Sequence, residues 1–122
     1  MANRNYNRKQ ALEKEVKEIY LEASIGAAGA PTLVRGLGVT SITRTGTGDY
    51  TIQLQDKYNR LMCASISVEY PSPQTLFSRV DHESVAIDGK IYIGFGTTGD
   101  SSRELTNGSV LKIRFDLKNS SV

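Results

Sequence analysis

Residues 36–54 read GLGVTSITRTGTGDYTIQL. The stretch predicts two short strands joined by a tight turn. Val39, Ser41, Thr43 and Thr45 fall on one side of the first strand. Thr40, Ile42 and Arg44 fall on the other, because strand side chains alternate between faces. After Gly46-Thr47-Gly48-Asp49, the residues Tyr50, Ile52 and Leu54 alternate with Thr51, Gln53 and Gln55. The β-branched and aromatic content suits a half-buried pleated surface. Gly46 and Gly48 supply the positive φ that a chain reversal needs. The hairpin argues for a β fold and carries no catalytic machinery.

On its N-terminal side, residues 17–25 show Ile19, Leu21, Ala23 and Ile25 at every second position, which predicts a strand, with a longer helix as the alternative. Gly26-Ala-Ala-Gly-Ala-Pro31 ends it in a loop, and residues 32–35 form a short extended piece. Further upstream, residues 7–17 predict a short helix with Asn7 as N-cap and Gln10 three positions on. Its narrow apolar stripe is Leu12, Val16 and either Ile19 or Tyr20. A helix of about eleven residues is marginal alone and needs a surface to lie on.

On the C-terminal side, Asp56 is placed to cap one or two helical turns. Ala64, Ile66, Val68 and Tyr70 define the next strand, stopped by Pro71-Ser-Pro73. Residues 74–79 read as a loop anchored by Leu76 and Phe77. Residues 84–87 and 90–95 form a second hairpin candidate around Asp88-Gly89, a type I′ signal. Residues 97–108 are a polar loop. Leu111, Ile113, Phe115 and Leu117 alternate with Lys112, Arg114, Asp116 and Lys118 in a final strand. Seven or eight closely spaced strands predict a mainly β protein. The expected architecture is an antiparallel β-sandwich, jelly-roll or Greek-key-like, with a short N-terminal helix or arm. Residues 1–17 are the arm, and residues 18–122 the single β domain.

The 122 residues suffice for one domain with a real core. The net charge of +2, from 15 basic and 13 acidic residues, is too even to argue for nucleic-acid binding. The basic patch Arg4, Arg8 and Lys9 around Tyr6 is followed at once by Glu13, Glu15, Glu18 and Glu22, which cancel its field. Cys63 is the only cysteine, so no disulfide forms within one chain, which fits a reducing compartment. Its place next to an apolar strand predicts a buried or half-buried thiol. The polar N-terminal MANRNYNRKQ lacks the apolar core of a signal peptide, and no apolar run is long enough to span a bilayer.

The motifs that could carry chemistry are weak. Gly94-Phe95-Gly96-Thr97-Thr98-Gly99 satisfies GxGxxG, but no helix follows to present its N–H groups to a pyrophosphate. His82 is the lone histidine, and Asp81 and Glu83 on either side of it alternate away from its face. Asp100, Ser101 and Ser102 lack a second histidine for a nucleophile triad. The residues therefore predict no catalytic site, no metal and no cofactor.

The runs IGAAGAPTLVRG, GLGVTSITRTGTGDYTIQLQDKYNRLM and GSVLKIRFDLKNSSV resemble a family of small tailed-bacteriophage virion proteins of the capsid decoration or cement, head-fibre-like type. The likeness covers about residues 18–62 and 105–122, and its motifs are structural. The resemblance implies a non-enzymatic protein on the capsid exterior, made in the host cytoplasm. Its partner would be the major capsid protein, with self-association as a dimer or trimer and no membrane or nucleic acid. The expected contact residues are Tyr6, Arg8, Leu12, Val16 and Tyr20; packing on their own domain is the alternative for Leu12, Val16 and Tyr20. The alternative functions are a tail, neck or fibre component, or a host- or carbohydrate-binding β domain.

Overall fold

A computed structural model of the chain describes residues 15–72, 74–97 and 102–119. Among the described residues eight strands run in order: β1 (Val16–Ile25), β2 (Pro31–Arg35), β3 (Val39–Gly46), β4 (Asp49–Leu54), β5 (Arg60–Glu69), β6 (Phe77–Ser84), β7 (Lys90–Gly96) and β8 (Val110–Lys118). They form two four-stranded sheets, one ordered β2-β1-β8-β5 and the other β3-β4-β7-β6. Every pairing is antiparallel. The sheets stack with β2 beside β3 at one side and β5 beside β6 at the other. The crossed connectivity is that of a Greek-key-like β-sandwich, as the strand spacing implies.

Alternation builds the core. Ile19, Leu21, Ala23 and Ile25 of β1 and Leu111, Ile113, Phe115 and Leu117 of β8 face inward from the first sheet. Tyr50, Ile52 and Leu54 of β4 and Ile91, Ile93 and Phe95 of β7 meet them from the second. Burial of each large apolar side chain contributes roughly 1.5–3 kcal/mol. The Tyr50 and Phe95 rings pack edge to face, centroids 5.9 Å apart at 75°.

Several expectations change. The predicted hairpin is present, but a register shift between Val39 and Ser41 breaks the alternation of β3. Val39 and Ile42 are consequently both buried, although they were expected on opposite faces. Residues 55–59 form no helical turn; Asp56 caps nothing, and β5 starts at Arg60. A register shift between Leu61 and Cys63 then sends Leu61 inward and Cys63 outward, so Cys63 is exposed, not buried. β6 begins at Phe77, which is 55% exposed and anchors nothing, while Leu76 packs on the core. The β6–β7 turn is wider than a two-residue type I′ turn, because the Ser84 carbonyl accepts from the N–H groups of Ile87, Asp88 and Gly89. β1 includes Val16 and Lys17, which were assigned to the arm. The rest of the expected helix, residues 7–14, lies outside the described residues.

Candidate interaction surface

The outer face of the first sheet holds the described part of the expected contact set. Tyr6, Arg8 and Leu12 lie outside the described residues. Val16 and Tyr20 sit four residues apart on β1, on its outward-facing side. Val16 is half-buried opposite Lys118. Tyr20 is 57% exposed, stands opposite Arg114, and donates from Oη to Glu18 Oε2 at 2.7 Å. Neither belongs to the buried core of the domain.

Two shallow depressions meet at Tyr20. One, about 370 Å³, is lined by Tyr20, Glu22, Arg35, Ser65, Lys112 and Arg114 among others. The second, about 470 Å³, is lined by Glu18, Tyr20, Arg35, Gly36 and Leu37. Local backbone geometry explains the rim of the second. Glu22 pairs with Arg35 while Ala23 pairs with Leu33, so Val34 is the extra residue of a bulge and is 54% exposed. Gly36 O accepts from Val39 N at 3.0 Å, and Gly38 adopts φ +91, so the chain turns sharply from one sheet to the other. Leu37 is left at the tip, 94% exposed. The floor between is charged: on β8, Lys112 stands opposite Glu22, Arg114 opposite Tyr20 and Asp116 opposite Glu18. A hydrogen bond from Lys112 Nζ to Glu69 Oε1, 3.1 Å, holds the Lys112 ammonium pKa above its ordinary value. Val34, Arg35 and Leu37 were not singled out from the sequence. The available signal was Leu37 itself, an apolar residue between Gly36 and Gly38 in a predicted reversal.

The motifs weighed for chemistry take structural places. Gly94 lies in mid-strand, where a Cβ would come within 2.7 Å of the Arg79 guanidinium. The missing side chain lets Arg79 cross β7 toward Asp49 Oδ1, 3.4 Å away, while its Nε donates to Asp81 Oδ1 at 2.5 Å. His82 is exposed and stacks on Tyr92, ring centroids 4.1 Å apart. Glu83 Oε2 accepts from the Val85 N–H at 2.9 Å. Asp81, His82 and Glu83 thus each meet a different group. Ser102 is exposed beside Gly96, and Asp100 and Ser101 lie outside the described residues. Among the described residues no three His, Cys, Asp or Glu side chains converge as a metal site, and no helix is long and apolar enough to cross a membrane.

The densest polar cluster pins one corner of the sandwich. Arg44 on β3 donates from Nε to both oxygens of Glu104, at 3.0 and 3.1 Å, and from Nη2 to Oε2 at 2.5 Å. Glu104 Oε1 also accepts from the Gly48 N–H at 3.0 Å. The Arg44 hydrogen bonds hold the Glu104 carboxyl pKa below its usual value. Beneath them Tyr50 Oη donates to the Gly29 carbonyl at 2.8 Å, and burial pushes the phenol up to about 12. The hydrogen bonds of this cluster clamp β3, the β3–β4 turn and the β7–β8 connection to one another.

Comparison with known proteins found no matching family model, no similar curated protein and no similar solved structure.

Proposed function

We propose that the chain is a non-enzymatic structural protein of a tailed-phage virion that binds the outside of the capsid. Its partner is the major capsid protein, and it strengthens the shell by mass action, because it binds the assembled lattice and not dissociated subunits. One observation carries the reading. Tyr20 and Leu37 stand exposed around one depression, with Val34 beside them, at the rim of a rigid two-sheet body. An exposed tyrosine beside an arginine matches the residue types enriched at interfaces. The sequence likeness of the 36–62 stretch to virion decoration proteins points the same way. Self-association multiplies the individually weak contacts.

Co-sedimentation with expanded empty capsids, and separately with tails, tests it. The protein is expected to pellet with capsids. Binding to tails alone would favour a tail, neck or fibre component and overturn the decoration reading. The adhesive arm is tested by deleting residues 1–14 only, since Val16 and Lys17 belong to β1. Weakened attachment with the β domain intact is the expected result.

A host- or carbohydrate-binding domain is favoured by one different observation. The outer face of the second sheet carries a depression of about 460 Å³ lined by Ser41, Thr43, Thr51, Gln53 and Tyr92 among others. A ring beside hydroxyls and an amide suits a sugar face. Glycan-array binding abolished by Tyr92→Ala would select that reading.

A further inference from the structure

The four outer strands of the sandwich differ in how they treat an approaching chain. A sheet edge presents unpaired backbone groups, and proteins blunt edges with charge, proline, bulges or short length. β2 is five residues long, starts at Pro31 and is bulged at Val34. β3 is interrupted by register shifts at both ends of residues 41–44. β6 carries Arg79, Asp81, His82 and Glu83 and is shifted between Val80 and His82. β5 has none of these devices over most of its length. It is ten residues long, residues 61–68 (LMCASISV) are uncharged, and residues 63–69 pair with β8 without a shift. Its inward side chains Leu61, Ala64, Ile66 and Val68 remain only half-buried at the open side of the sandwich.

We infer that β5 is the self-association edge, pairing antiparallel with β5 of a second copy about a two-fold axis through Ser65. The charge pattern selects this register. Residues 64, 66 and 68 face inward, while 63, 65, 67 and 69 face outward. With Ser65 opposite its own counterpart, Ala64 meets Ile66 and Cys63 meets Ser67 of the other copy. The extra residue at Met62 then restores the phase, so that Leu61 meets Val68 and Arg60 meets Glu69. Every apolar inward residue finds an apolar opposite, and the ends of the ribbon close with two Arg60–Glu69 pairs. The assembly is an isologous dimer whose first sheet runs continuously through eight strands, β2-β1-β8-β5-β5-β8-β1-β2. The Tyr20–Leu37 rim lies at the opposite end of each half, around β1 and β2, and stays open at both ends of the dimer. The inference names the surface behind the self-association proposed above, but its test needs no capsid.

Sedimentation velocity across a concentration series reads the outcome, with far-ultraviolet circular dichroism to verify folding. The wild type is expected to be a dimer. Arg60→Glu and Glu69→Arg each set like charges opposite one another twice, and each is expected to weaken association by about tenfold or more. The double variant R60E/E69R is expected to restore it. Ser67→Cys, treated with oxidised glutathione, is expected to form a disulfide-linked dimer through Cys63 of the other copy, because directly opposed strand residues lie within disulfide reach. Positions 63 and 67 of one strand are about 13 Å apart and cannot bridge within a chain. A monomer at all concentrations, or a dimer indifferent to both single reversals and yielding no crosslink, overturns the inference. A dimer that ignores capsids would leave it standing and remove only the capsid reading.

Discussion

Tyr50 and Gly29 tie the two sheets together at one end: the Tyr50 hydroxyl, on β4, donates to the carbonyl of Gly29 in the β1–β2 turn at 2.8 Å. The bond is buried, and Gly29 sits there with φ +74 directly under the Glu104 side chain. Tyr50→Phe leaves that carbonyl without its donor. The expected cost is about 1–2 kcal/mol, seen as a fall in Tm of roughly 4 °C for each kcal/mol. The phenol also sets an alkaline limit. Its folded pKa of about 12 lies above the ordinary 10.0, so the neutral form is the one the fold prefers. That contribution is complete below pH 10 and is lost as pH rises from there through 12. Urea titrations between those values should show the decline in the wild type and a flatter profile in Tyr50→Phe.

The Arg44–Glu104 pair sets an acid limit of opposite sign. The Glu104 pKa is depressed in the folded protein, so its contribution is present above the unfolded carboxyl pKa of about 4.3. It is lost as pH falls through the lower folded value. Glu104→Gln should lower Tm at neutral pH, and the difference from wild type should narrow on acidification. Differential scanning calorimetry at several pH values checks this; a gap that widens in acid would refute it.

Two glycines that look alike in the sequence should respond differently to alanine. Gly48 has φ +70, and a Cβ there would lie 2.7 Å from the Phe95 carbonyl oxygen, with Arg103 backbone closer still. Backbone cannot step aside, so Gly48→Ala should destabilise by roughly 1–3 kcal/mol or prevent folding. At Gly94 the obstacle is the end of the Arg79 side chain, which can swing away from Asp49. Gly94→Ala should cost under about 1 kcal/mol, since it gives up only an exposed ion pair. Chemical denaturation of both variants decides.

Cys63 should react with a thiol reagent in the native state at the rate of an open surface thiol, because alternation with inward Ala64 turns it outward. Stoichiometric labelling without denaturant is the expected outcome. Labelling that requires unfolding would return Cys63 to the half-buried position predicted from its neighbours.

Tyr20→Ala combined with Leu37→Ser should leave Tm nearly unchanged, as exposed substitutions fall within about 0.5 kcal/mol. The same pair should reduce the protein recovered with capsids. Intact binding would move the adhesive surface away from this rim.

The strands that follow strict alternation were legible: Tyr50, Ile52 and Leu54, and Leu111 through Leu117, read directly as inward faces. Reading failed where the phase slips. Val39 and Ile42 are both buried, and Leu61 and Cys63 point to opposite sides, because a bulge on one strand is decided by its fit to the partner strand. The start of β6 was read as loop because all but the strand's last residue are exposed, so burial writes no period into Phe77-Ser-Arg-Val-Asp-His-Glu-Ser. Of the interaction surface, Tyr20 was visible as an aromatic residue near a basic arm. Val34 and Leu37 were not, since their exposure comes from a bulge and a sheet-to-sheet turn.

The placement of β8 bears on how a ribosome can deliver this fold. β8 runs between β1 and β5, so the first sheet has no contiguous centre until Val110–Lys118 has emerged from the exit tunnel. Until then β1 and β5 have no common partner, and their apolar faces must wait in solution. Half of the molecule therefore folds only once β8 is present to pair. The arrival of β8, rather than any local step, sets the moment at which the first sheet becomes resistant to protease.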